Sequence, residues 1–342
     1  MDKALLALIG PWPPPYGGIS VHIKRLAHRL AQKGLDFVVY DDTGKHDSEN
    51  VEPLRGLWVN DFVLRKKHAI IHYHSHSWGN RMRLSAATLK GTRVIFTVHS
   101  LRKLPEVPWF KKPEFAHMMA HSLFVAVNPE IERTLKEMGA RKTTVISPYI
   151  PPEFNRPPAG QVLEFSENHE PVVASSALLF KHWPGASDMY GLFDLVNAFA
   201  LFKASYPKAG LVIYLSQVGD PELFSRFKEL VSRKGLQEDV LIRLNAPEEF
   251  HTCLSTARVF VRPTFSDSFG ISILEAMDAG VVCVASDAAP RPKQTLIFRA
   301  GDPTDMARAI EKAVKTPKPS DSGENAFYAL LNLYQKLLGK TL

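Results

Sequence analysis

A chain of 342 residues exceeds what one hydrophobic core usually serves, so length alone argues for about two domains. A 45% hydrophobic content with only two cysteines, Cys253 and Cys283, both in apolar stretches, suits a globular protein in a reducing compartment and excludes a disulfide scaffold. The net charge of +7 is one-sided: residues 1–150 carry 22 Lys and Arg against 13 Asp and Glu, whereas the rest carry 20 against 22. That asymmetry points either to an anionic partner for the first half, a phospholipid surface or a nucleic acid, or to solvated helix faces. No apolar run approaches the roughly 20 residues of a membrane span, and the first ten residues read as a buried strand rather than a signal peptide.

Short apolar runs alternate with amphipathic stretches, the pattern of strands covered by helices. In the first half strands are expected at Leu5–Ile9, Phe37–Tyr40, Ala69–Tyr73, Arg93–Val98, Leu123–Val127 and Thr144–Ile146. Between the first two, Ile19, Ile23, Leu26, Ala27 and Leu30 fall on one helical face, and Gly34 supplies the stop. A Pro-rich, poorly periodic segment then runs from Ser147 toward Glu170 and separates two βα series. The second series has strands at Pro171–Ser175, Leu211–Leu215, Val240–Leu244, Val259–Val261 and Val281–Ala285, with helices at Leu192–Ser205 and Pro221–Lys234. A final helix is expected over Asn325–Leu338. The domain bounds that follow are 1–152, a linker at 153–170, a second domain at 171–320 and a terminal helix at 321–342. Neither solenoid repeats nor low-complexity segments occur.

The segment Arg262-Pro-Thr-Phe-Ser-Asp-Ser-Phe-Gly-Ile-Ser-Ile-Leu-Glu275 carries the most chemistry. A strand leads into a Gly-containing turn and a short helix, whose first N–H groups and dipole favour an anion such as a phosphate. Glu275, about one and a half turns in, is placed to accept hydrogen bonds from ribose hydroxyls, or to pair on a surface helix. At the other end of the chain, Gly10-Pro-Trp-Pro-Pro-Pro-Tyr-Gly17-Gly18 joins proline stiffness to paired glycines just before a helix start. His99 ends an apolar strand, where ligands gather in parallel sheets. His72, His74 and His76 alternate on one strand face, yet lack a fourth ligand for zinc. No Asp-x-Asp clamp for a metal-bound diphosphate is present.

Together these segments resemble retaining GT-B glycosyltransferases of family 4, whose donor motif sets two acidic residues eight apart around Phe-Gly and ends in Leu-Glu-Ala-Met. Gly-Gly-Ile-Ser-Val-His22, Thr-Val-His99, Ala-Val-Asn-Pro129 and Arg299-Ala-Gly-Asp302 resemble further landmarks in the same order. The resemblance implies an α/β fold of two Rossmann-like domains and a nucleotide-sugar donor, UDP more than GDP, used without metal or other cofactor. It implies that Gly17, Gly18, Ser268, Phe269, Gly270, Ile271 and Glu275 bind the donor. His99 and Asp267 then serve at the transferring sugar.

Two departures stand out. Asp267 is one methylene shorter than the usual Glu. The family's Arg and Lys after the second domain's first strand are missing from Ser175–Gly191, which leaves Lys181 or His182, or else Arg291 or Lys293, as substitutes. The stretch after His99 mixes Arg102, Lys103, Lys111 and Lys112 with Trp109 and Phe110, a composition suited to an acceptor or to anionic lipid. Arg65, Lys66 and Lys67 extend that basic character. No recognition motif supports nucleic acid. The expected protein is therefore a cytoplasmic glycosyltransferase, peripheral on the membrane, that extends a lipid-linked or surface glycan. The alternatives are a nucleotide-sugar epimerase and a non-catalytic GT-B partner of another glycosyltransferase.

Overall fold

The computed structural model of the chain describes residues 5–56, 58–65, 68–100, 107–153, 156–246, 249–267 and 270–339. It divides into two compact units: residues 1–13, 17–150 and 324–342 form one, residues 14–16 and 151–323 the other.

The first unit is a seven-stranded parallel sheet. In chain order its elements are β1 (Leu6–Gly10), α1 (Gly18–Gln32), β2 (Phe37–Asp41), β3 (Val51–Pro53), α2 (Trp58–Leu64), β4 (Ile70–Tyr73), α3 (Trp78–Ser85), β5 (Arg93–Val98), α4 (Lys112–His121), β6 (Leu123–Ala126), α5 (Pro129–Glu137) and β7 (Thr143–Val145). The strands lie in the order β3-β2-β1-β4-β5-β6-β7, so the winding direction reverses between β1 and β4. Both faces are covered, as a parallel sheet requires. One face packs Ile71, Tyr73, Phe96 and Phe124 against Trp78, Met82 and Met118. The other packs Leu8, Val39, Ile70 and Ile95 against Ile23, Leu26 and Leu30 of α1.

The second unit repeats the plan with six parallel strands. Its elements are α6 (Gly160–Asn168), β8 (Val172–Ala177), α7 (Leu192–Lys203), β9 (Gly210–Leu215), α8 (Pro221–Arg233), β10 (Val240–Leu244), β11 (Val259–Arg262), α9 (Ile271–Asp278), β12 (Val282–Ser286), β13 (Leu296–Phe298) and α10 (Pro303–Lys315). Strand order is β10-β9-β8-β11-β12-β13, reversing between β8 and β11. Phe193, Leu195, Phe199 and Phe202 of α7 fill one face together with Met306 and Ile310 of α10. The last helix, α11 (Ala326–Leu338), belongs to the first unit, where Ala326, Phe327, Leu330 and Tyr334 join the core of α1.

The segment read as a linker, 153–170, contains helix α6, which lies within the second unit. Its only buried residue is Val162, so it lacks the apolar stripe that would mark it in the sequence. The edge strands β3 and β13 are likewise additions to the expected set, each three residues long.

Candidate functional site

In open parallel sheets ligands bind beyond the carboxyl ends of the strands, where the winding reverses. In the first unit that point lies between Gly10, the end of β1, and His74, which follows β4 and donates its N–H to Ile9 O at 2.9 Å. A Cβ at Gly10 would stand 2.5 Å from Ile23 Cδ1 and 3.3 Å from His74 Cβ, so glycine there lets the strand end approach α1 and β4. Gly17 is the N-cap of α1 and Gly18 its first residue. With no side chain of its own to cap the helix, Gly17 is tied by Ser20 Oγ, which accepts from Gly17 N at 2.9 Å.

Four histidines meet at this end of the sheet. His72 and His74 rings lie 4.1 Å apart, His74 and His99 5.7 Å, and His22 of α1 stands 5.1 Å from His74 and 5.6 Å from His99. Both nitrogens of His72 are used, by Tyr334 Oη of α11 and by Thr97 Oγ1, each at 2.7 Å. His22 Nδ1 must carry its proton, because it meets the carbonyl of Pro148 at 2.6 Å. Its Nε2, like Nε2 of His74, is buried without a hydrogen-bond partner among the described residues. Burial lowers all four pKa values, His22 to about 4, and the rings disfavour one another's charge. His99 is therefore a neutral imidazole at pH 7; its Nε2 is hydrogen-bonded with His74 Nδ1 at 3.4 Å, which leaves the other nitrogen to donate or accept one hydrogen bond, and the ring does not act as a cation. Strand β4 stops at Tyr73, before His76, and among the described residues no group of three His, Cys, Asp or Glu is arranged to hold a metal.

Sequence reasoning passed over two neighbours. Arg81 is buried, donates to Ser75 O at 2.9 Å and to Thr97 O at 3.3 Å, and lies 4.5 Å over the Trp78 ring. It thereby fixes the segments that carry His74 and His99. Asp41, at the end of β2, accepts from Trp12 N, Thr43 N and Oγ1, Lys45 N, and His46 N and Nδ1. Burial alone would raise its pKa, but hydrogen bonds led by Thr43 and Trp12 hold it at about 2. The Gly10–Tyr16 loop is anchored on it through Trp12.

In the second unit the reversal lies between Ala177 and Arg262, the ends of β8 and β11. Arg262 donates Nη1 to Ser176 O at 3.1 Å and Nε to Asp267 Oδ2 at 3.0 Å. Arg291, whose side chain is only 2% exposed, donates Nη1 to the same Oδ2 at 2.9 Å and anchors Nε on Ser286 O at 3.0 Å. Burial raises the Asp267 pKa, yet the charges and hydrogen bonds of Arg262 and Arg291 outweigh it and hold the carboxyl at about 2. Gly270 adopts φ +73°, a left-handed conformation that glycine supplies without strain, and begins α9 without a side-chain cap. A Cβ there would stand 3.4 Å from both Arg291 Nη1 and Asp267 Oδ2, so the three residues converge at the helix start. Ile271 opens α9, and Glu275 is buried further along it and acts electrostatically on Arg262. Asp188, buried and accepting from Tyr190 N and Phe193 N, sets the start of α7 beside this region.

The remaining expected residues separate. Lys181 is exposed in a loop and its side chain makes no hydrogen bond among the described residues, whereas Arg291 reaches the motif. Ser268, Phe269, Arg102, Lys103, Lys66 and Lys67 lie outside the described residues, as does the side chain of Phe110. Trp109 is 80% exposed beside Lys111 and Lys112, in a short turn leading into α4. Among the described residues no helix is long and apolar enough to cross a membrane.

Comparison with known proteins agrees with this layout. The profile described as Glycosyltransferase Family 4 matches residues 16–154, and that described as Glycosyl transferases group 1 matches residues 185–327. An uncharacterized glycosyltransferase, YqgM of Bacillus subtilis, is 22% identical over 83% of this chain and 78% of its own length. A component of the Arabidopsis thaliana phosphatidylinositol N-acetylglucosaminyltransferase is 25% identical over 75% of this chain, which spans 56% of that relative. Among solved structures, a Rickettsia africae glycosyltransferase superposes with TM-score 0.73 at 16% identity, covering 99% of both chains. Anabaena HepE, solved in complex with UDP-glucose, gives 0.70 at 14% identity, covering 98% of both. The motif segments and the two parallel sheets thus agree with both family profiles, and the chain belongs to the family 4, group 1 glycosyltransferases of GT-B fold.

Proposed function

We propose that this glycosyltransferase moves a hexose-type sugar, with retention, from a UDP-sugar to a lipid-linked or cell-surface glycan at the cytoplasmic face of a membrane. The observation that carries the reading is α9, which begins at a left-handed glycine with arginine beside it and bears a buried carboxylate, Glu275. A helix start and a nearby cation suit a diphosphate, and a carboxylate farther along suits ribose hydroxyls. A UDP donor is supported by the UDP-glucose complex of HepE, and a lipid acceptor by the name of the Arabidopsis relative. Trp109 with Lys111 and Lys112 supports contact with anionic lipid.

On this reading Glu275 orients the ribose and Gly17 and Gly18 approach the donor by backbone. His99 serves at the transferring sugar, and no metal or cofactor takes part. The glycosidic bond to the diphosphate breaks as an oxocarbenium-like centre develops. The acceptor oxygen adds on the same face, and its proton passes to the departing phosphate. Neutral His99 holds a sugar or acceptor hydroxyl in place.

The test is turnover of a panel of UDP- and GDP-sugars with anionic vesicles bearing glycolipid, with the product's anomeric configuration read by NMR. Transfer with retention, strongly reduced in His99→Ala, is expected. Nucleotide binding with neither transfer nor hydrolysis from any donor would leave a non-catalytic partner protein instead, and donor isomerisation without acceptor would mean an epimerase.

A further inference from the structure

The second unit's winding reversal is bridged by a side chain: Arg262 ends β11 and reaches across to Ser176 O on β8. Arg291 arrives from beyond β12, anchored on Ser286 O and on Ser286 Oγ at 3.1 Å. Both guanidinium groups meet on one oxygen of one carboxylate, Asp267 Oδ2, against Gly270 at the start of α9. Two permanent cations thus hydrogen-bond to one carboxylate, while Glu275 acts electrostatically on Arg262 and Asp287 on Arg291. Arg262 donates through Nε and Nη1 only, leaving Nη2 without a hydrogen-bond partner among the described residues. Within Ser175–Gly191, Ser175 Oγ donates to Val261 O at 2.9 Å and Lys181 stands exposed in its loop.

Resting on the donor reading above, we propose that Arg262 binds the diphosphate of the nucleotide donor, that the buried Arg291 adds its charge beside it so that the two take up the charge of the leaving group, and that Asp267 is the positioning residue that holds both guanidinium groups at the start of α9. Arg262 keeps Nη2 for a phosphate oxygen in the planar fork geometry that an ammonium does not provide, whereas Arg291, its three nitrogens committed to Asp267 and Ser286, adds its charge from behind. Asp267 fixes both guanidinium groups before the donor arrives, so the negative charge that develops on the leaving group meets cations already in place. The shorter Asp in place of Glu fits this role: its carboxylate stops at the two arginines, whose own reach supplies the remaining length.

The test is calorimetric titration of UDP, UMP and uridine into the wild type and into Arg291→Gln, Arg291→Lys, Arg262→Gln and Asp267→Asn, at two salt concentrations. Loss of a charge-assisted contact is expected to weaken UDP by about 10- to 100-fold while leaving uridine within about twofold. Arg291→Lys, which keeps the charge and loses the fork, should recover part of the UDP affinity. Asp267→Asn should weaken UDP more than uridine and reduce turnover. Uridine binding reports in each variant that the nucleoside part of the site is folded. If UDP and uridine weaken equally, or UDP does not weaken, the arginines are structural and the assignment is overturned while the donor reading stands. If the wild type binds no nucleoside diphosphate, both fall together.

Discussion

The four buried histidines make the first unit acid-sensitive in a range where most proteins are indifferent. His22 takes up a proton near pH 6.5 in the unfolded chain but only near pH 4 in the native unit, because burial strips it of water. Its contribution is therefore fully present above pH 6.5 and drains away as pH falls toward 4. From pH 7.5 to 5.5 the loss for His22 alone is about 1.3 kcal/mol. His72, His74 and His99 are lowered by the same burial and act in the same sense, so the total exceeds that figure. Against a typical stability of roughly 5–15 kcal/mol, the loss is a substantial fraction. The second unit responds in the opposite sense. Asp188 is raised to about 6, burial outweighing its backbone hydrogen bonds, so it holds a proton that the unfolded chain releases. Over the same interval it gains about 0.8 kcal/mol. Hydrogen exchange read by mass spectrometry, corrected for intrinsic rates at each pH, resolves the two units. Peptides from β4 and β5 should open more readily at pH 5.5 than at 7.5, whereas those from α7 should not, and His22→Gln should flatten the first trend by its share. Equal opening free energies for β4 and β5 at both pH values would refute the neutral, buried histidine cluster.

Three further outcomes follow from particular contacts. Asp41→Asn should destabilise the first unit by about 2 kcal/mol at neutral pH, the energy equivalent of its pKa displacement, as read by urea denaturation. That difference should fade as pH drops below 4 toward 2. Gly191 has φ +68°, and a Cβ there would stand 2.2 Å from Pro263 O, next to Arg262; Gly191→Ala should cost at least about 1 kcal/mol in the second unit's thermal unfolding and weaken nucleotide binding. Trp109→Ala combined with Lys111→Glu and Lys112→Glu should abolish sedimentation with anionic vesicles and leave the melting temperature unchanged.

What the sequence makes legible is whatever depends on local periodicity. The apolar face of α1, with Gly34 in its left-handed stop, is readable because burial repeats every three to four residues. The central strands are readable because both faces of a parallel sheet are buried. β3 escapes because Val51-Glu52-Pro53 is too short and polar to alternate, and α6 because a helix with one buried residue carries no stripe. In the site, Gly270 and Glu275 stand in one motif and can be read together. The convergence of Arg291 on Asp267 spans 24 positions, and that of Tyr334 on His72 spans 262, so no local spacing reveals either. Their only trace in the sequence is chemical: an arginine in the otherwise uncharged stretch from Ala288 to Pro292, and a tyrosine on the apolar face of a terminal helix. The buried Arg81 leaves still less, since an arginine on a helix is ordinarily solvated.

The central claim is that the start of α9 and Glu275 hold a nucleotide-sugar donor, and calorimetric titration of UDP and UDP-glucose into the wild type and Glu275→Ala tests it most directly. The account predicts saturable binding to the wild type and a loss of about tenfold or more in Glu275→Ala, with the fold intact by circular dichroism. Absence of binding to the wild type at millimolar concentration, or equal affinity in the variant, would contradict it.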